Sequence, residues 1–128
     1  MEGVLFKDFR VFEDSDKNFV LHVLVEDGEV WFLAQDVAKS TGWDAKIGGS
    51  SPTRAINWKY KTTKKIQPEY EKGQAIPPTY EVLCLNQTGV FLFIEQIKKL
   101  MFRTQTNEFK TWFELTVVPA VQQEKGSK

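Results

Sequence analysis

Gly28-Glu-Val-Trp-Phe-Leu-Ala-Gln-Asp-Val-Ala-Lys-Ser-Thr-Gly-Trp43 is the stretch from which the fold is read. Asp27-Gly28 supplies the positive φ values of a tight hairpin turn. Val30 to Leu33 then suit a strand. At Ala34 the period changes: Leu33, Val37 and Ala38 form a short apolar helical stripe, and Gly42 stands where a C-terminal glycine ends a helix. Strand, two-turn helix, glycine turn and aromatic anchor is a grammar shared by small DNA-reading domains and by ordinary helices packed on a sheet.

Upstream, Val4 to Phe12 reads as a strand, Glu13 to Asn18 as a polar turn, and Phe19 to Val25 as a second strand. With Val30–Leu33 these make an antiparallel meander that needs cover on one face. Downstream, Tyr80 to Leu85 is a fourth strand and Asn86 a helix N-cap. Gln87 to Phe102 has helical length, with Val90, Phe91, Ile94, Ile97 and Met101 as its apolar stripe. A last helix, capped by Thr104 or Thr106, shares Phe109, Trp112, Phe113 and Thr116 on one face and closes at Pro119. The expected fold class is α+β, a small antiparallel meander covered by several short helices. Residues 1–121 form the domain and 122–128 a polar, frayed tail.

A chain of 128 residues with 41% hydrophobic content is long enough to bury a core as one domain. The lone Cys84, set among Val82, Leu83 and Leu85, reads as a buried small apolar residue, not as half of a disulfide. No apolar run reaches membrane-spanning length and the N-terminus has no signal pattern, so an intracellular protein is expected, in host cytoplasm or nucleus. His22, the one histidine, has no metal-spaced partner and reads as a structural strand residue. One histidine and one apolar-flanked cysteine make no nucleophile–base pair, and Glu69 and Glu71 lie in a proline-rich loop. Neither an enzyme nor a small-molecule substrate is expected. Gly48-Gly49-Ser50-Ser51 lacks the lysine spacing of a phosphate-binding loop, so no nucleotide cofactor is expected either.

Net charge is zero, yet it is segregated along the chain. Residues 1–36 carry nine acids against three bases, and residues 37–68 one acid against seven bases. Two readings stand: one face attracts an anion, or neighbouring acidic and basic segments face each other. Between Lys46 and Lys65 there is no acid, while Lys46, Arg54, Lys59, Lys61, Lys64 and Lys65 are basic, with Trp58 and Tyr60 among them. Ser51 and Pro52 suit the start of a two-turn helix over Thr53–Lys59, and Ile66 to Thr79 a loop. Basic groups interleaved with rings fit phosphate contact and stacking. The expected nucleic-acid contacts are Lys46, Arg54, Lys59, Tyr60, Lys61, Lys64 and Lys65, the lysines lying on a common outer face. Trp58 taken alone is expected to fold into the core.

Trp31-Phe32-x-Ala34-x-Asp36-Val37-Ala38, followed by Gly42 and an aromatic, resembles the start of the BRO N-terminal domain. That family is named for baculovirus repeated open reading frames and occurs also in other large DNA viruses and in phage antirepressors. Leu85-Asn86-x-x-Gly89-Val90-Phe91 is similar to its second motif, where the family has Gly-Leu-Tyr. Phe109-Lys110-x-Trp112 and Val117-Val118-Pro119-Ala120-Val121 resemble its Phe-x-x-Trp and Val-Leu-Pro-x-Ile ending. The span from Gly89 to Trp112 is slightly long for the family, and Arg103-Thr104-Gln105-Thr106 replaces its short basic turn. Residues 44–79 carry no alignable motif, so no contact residue is transferred, and the C-terminal module of many members is expected to be absent. The resemblance implies an α+β domain that binds DNA, often without strong sequence preference, in viral or phage gene regulation or chromatin-related roles; the expected partner is DNA, duplex or single-stranded. The alternative is a protein-interaction or dimerisation module, acting as a homodimer or on a host or phage regulator, with some of the four tryptophans as anchors.

Overall fold

A computed structural model describes residues 9–43, 52–100 and 104–126. Strands β1 (Arg10–Asp14), β2 (Phe19–Glu26) and β3 (Glu29–Leu33) form the expected meander. Asp27 and Gly28 at φ 52° and 79° make the tight turn between β2 and β3. The start expected for the first strand, at Val4, lies outside the described residues; β1 runs instead through Glu13 and Asp14.

Two further antiparallel strands, β4 (Lys61–Ile66) and β5 (Tyr80–Leu85), complete a five-stranded sheet in the order β1-β2-β3-β5-β4. β4 is a correction. Lys61-Thr-Thr-Lys-Lys-Ile66 has one aliphatic residue, but all six positions register with Tyr80–Leu85, which makes it the charged edge of the sheet. The span to β5 is a hairpin arm turning at Glu71–Gln74, where the Gln74 N–H donates to the Glu71 carbonyl at 3.1 Å.

Helix α1 (Ala34–Thr41) leaves directly from β3, as the change of period implies. Its C-terminus is closed by Gly42 at φ 84°, whose N–H donates to Lys39 O while that of Trp43 donates to Ala38 O. Because β3 ends at Leu33, the inner edge of β2 faces α1 at Val20 and His22. Asp36 Oδ2 accepts the His22 backbone N–H at 2.8 Å, and the His22 Nδ1 at the same distance. Ser40 Oγ accepts the Val20 N–H and donates to the Val20 carbonyl. Polar side chains of a helix thus finish a ladder that a strand has abandoned. His22 is structural, as expected.

Helices α2 (Gln87–Leu100) and α3 (Thr104–Trp112), with α4 (Val118–Gly126), cover one face of the sheet. Phe19, Leu21, Val23, Phe32, Leu85, Phe93, Ile97, Phe109 and Phe113 are buried there, with Phe19 edge-on to Phe109 at 5.5 Å. Truncating any of these phenylalanines to alanine costs about 3–5 kcal/mol. On the opposite face Leu24, Trp31, Leu33, Ile66, Val82 and Cys84 form a second cluster, so Cys84 is buried as expected. The last helix does not close at Pro119. A π-helical turn at Phe113–Val117 lets the Val118 N–H reach Phe113 O, and the chain continues as α4 to Gly126, through most of the expected tail.

Candidate nucleic-acid interface

The connection from α1 to β4 carries most of the expected contacts. It forms two short 3-10 turns, Pro52–Ala55 and Trp58–Tyr60, in place of one helix over Thr53–Lys59. The break has a local cause. Ile56 is drawn into the main core, and Asn57 takes an extended backbone so that its side chain accepts the Lys59 N–H at 2.8 Å. The expected cap Ser51 and the expected contact Lys46 lie outside the described residues.

The second turn is bolted to α2. The Asn86 N–H donates to the Tyr60 carbonyl at 3.0 Å, while Asn86 Oδ1 caps the helix by accepting the Gly89 N–H at 2.8 Å. A Cβ on Gly89 would stand 2.5 Å from that Tyr60 oxygen, so the absence of a side chain is what allows the approach. The Tyr60 ring itself is half-buried against the core. Its neighbour reverses the expectation for Trp58: that indole is 65% exposed. Between two polar residues, Asn57 and Lys59, on a capped turn, it has no path inward. That flanking polarity was the signal available in the sequence.

The expected common outer face of lysines is not formed. Residues paired across an antiparallel ladder share a face. Lys61 opposite Leu85 and Lys65 opposite Glu81 therefore lie on the helix side, whereas Lys64 opposite Val82 lies on the other. Lys61 is 8% exposed, and its Nζ donates to the Thr53 carbonyl at 2.8 Å while standing 4.5 Å over the Trp58 ring. Lys64 Nζ crosses the second face to Glu26 at 2.5 Å and lies over Trp31. What remains open are Arg54, Lys59 and Lys65, none of which enters the ion pairs formed among the described residues.

Two acids of the N-terminal segment lie far from Lys65 on β4. Asp14 and Asp16 sit at the β1–β2 turn, on the far edge of the sheet from β4. Four strand spacings separate those edges, about 19 Å, roughly two Debye lengths at physiological salt. Lys17, beside them, pairs with Glu108, whose hydrogen bond raises the lysine pKa. Of the two readings of segregated charge, direct pairing describes Lys64 and Glu26, and separation describes Asp14 and Asp16 relative to β4. Among the described residues no cluster of three His, Cys, Asp or Glu side chains is placed to hold a metal ion, and no helix is long and apolar enough to cross a membrane.

Residues 20–119 match the family profile described as BRO family, N-terminal domain. No curated protein and no solved structure matches the chain.

Proposed function

Since the chain belongs to the BRO family through its N-terminal domain, we propose that it is a non-enzymatic DNA-binding domain of viral or phage antirepressor type. The observation that carries this reading is the hydrogen-bonded turn at Trp58–Tyr60, which bears an exposed indole and an exposed Lys59, with exposed Arg54 on the turn before it. Arg54 brings a planar fork suited to phosphate or to a guanine edge, and Lys59 and Lys65 bring point charges. Lys61 and Tyr60 hold the turn in shape, and Lys64 is already neutralised.

Fluorescence anisotropy with labelled DNA at several salt concentrations tests it. Affinity should fall with salt at a log–log slope of roughly −0.9 per phosphate contacted, about −2 to −3 for three cations. The triple variant Arg54→Gln, Lys59→Gln, Lys65→Gln should lose most of that slope while keeping its melting temperature. Binding indifferent to both salt and the triple variant, or DNA cleavage on adding magnesium, refutes the reading.

One observation favours a protein-interaction role in addition. Leu115, on the π-helical turn, is 72% exposed beside a shallow groove lined by Lys17, Glu108, Thr111 and Trp112. Light scattering of wild type and Leu115→Ser, with and without DNA, separates self-association from nucleic-acid binding.

A further inference from the structure

Lys61 makes little sense as a phosphate ligand and good sense as a support. The residue is buried, and its ammonium donates a part-buried hydrogen bond to the Thr53 carbonyl and stands 4.5 Å over the Trp58 ring. Taking an ammonium out of water is costly unless something compensates, and the negative face of an indole is one such compensation. The consequence is a ring whose one side is held by a cation tied to the backbone of the preceding turn, with most of its remaining surface open. The turn is fixed at both ends, by the Asn57 cap and by the Tyr60 carbonyl on the Asn86 N–H. An exposed tryptophan gives up side-chain entropy when it engages a ligand, and the ammonium against one side of this ring favours one orientation and so lowers that cost.

We infer that Trp58 is a preformed stacking platform for an unpaired nucleobase, so that the surface prefers strands whose bases are out of the duplex. Exposed Lys59 and Arg54 would hold the flanking phosphates, an arrangement typical of single-strand channels, where base–aromatic stacking adds to an electrostatic groove. Paired bases present only their edges and cannot cover the free face of the ring. The inference rests on the DNA-binding reading above and narrows it to a class of substrate.

The test uses the full chain and three probes: a mixed-sequence single strand of DNA, the same strand made abasic throughout, and the corresponding duplex. Wild type should bind the single strand more tightly than either other probe. Trp58→Ala should weaken the single strand about tenfold and leave the abasic strand and the duplex within about twofold, while Trp58→Phe keeps most of the difference. A thermal melt confirms that both variants fold. Equal effects of Trp58→Ala on all three probes, or no effect, overturn the platform while leaving salt-dependent DNA binding by Arg54, Lys59 and Lys65 intact. Failure of the wild type to bind any probe overturns the DNA reading, and this inference with it.

Discussion

The Tyr60 carbonyl oxygen lies 2.5 Å from the point that the β-carbon of any other residue at position 89 would occupy, in the first turn of α2. This contact joins two parts of the chain that are far apart in sequence, the indole-bearing turn and the helix of the second family motif. Gly89→Ala gains helix propensity, worth up to about 1 kcal/mol, but must push a backbone oxygen aside. The expected net result is a loss of about 1–3 kcal/mol in urea unfolding, with weaker DNA binding because the turn carrying Trp58 shifts. Gly89→Ala at wild-type stability would show that the approach is looser than this geometry requires.

Asp36 completes the β2 ladder where β3 has departed, and its carboxylate serves both the backbone and the ring of His22. Asp36→Ala removes the carboxylate that accepts from the His22 backbone N–H and meets its buried ring, at a cost of about 1–3 kcal/mol. Asp36→Asn keeps an acceptor oxygen and should cost less. Amide exchange at His22 is the local readout, since loss of the acceptor should speed exchange there before the rest of β2.

Cys84 is fully buried in the second cluster, and burial pushes its thiol up to about 12 from an ordinary 9.0, against a smaller opposing pull from Lys64. The native thiol should therefore resist iodoacetamide at pH 8 and react only under unfolding conditions. The same shift has a stability consequence. Between about pH 9 and 12 the unfolded chain loses the thiol proton and the folded chain keeps it, so unfolding becomes easier as pH rises. Over that window the Cys84 contribution falls by about 1.4 kcal/mol per pH unit at most. Comparing the alkaline unfolding of wild type and Cys84→Ala isolates it.

Much of the fold is legible because the meander and the long helices carry strong local signals. Asp27-Gly28 fixes a turn, Ala34 marks a change of period, Gly42 ends a helix and Asn86 begins one; each appears in place. β4 was not legible, since its pattern is that of an edge strand whose lysines oppose further pairing and its register is set by β5. Nor was the passage of a helix through Pro119, where a widened turn has already shifted the hydrogen-bond register. At the site, composition located the basic segment but not the direction of each side chain. Once Lys61–Ile66 is a strand, period-two alternation sends Lys64 and Lys65 to opposite faces.

That alternation makes the lysines separable by experiment. Lys61→Gln removes the ammonium that joins Thr53 to the Trp58 ring, and should lower thermal stability and disturb Trp58 fluorescence. Lys64→Gln breaks a partly exposed pair with Glu26, worth at most about 1 kcal/mol, and should leave DNA affinity nearly unchanged. Lys65→Gln should leave stability unchanged and reduce the magnitude of the salt slope by roughly 0.9. Melting curves and anisotropy titrations on the three single variants measure both quantities. Equal loss of DNA affinity from Lys64→Gln and Lys65→Gln would mean that both faces of the edge strand meet the polyanion, which one flat interface on the helix side does not permit.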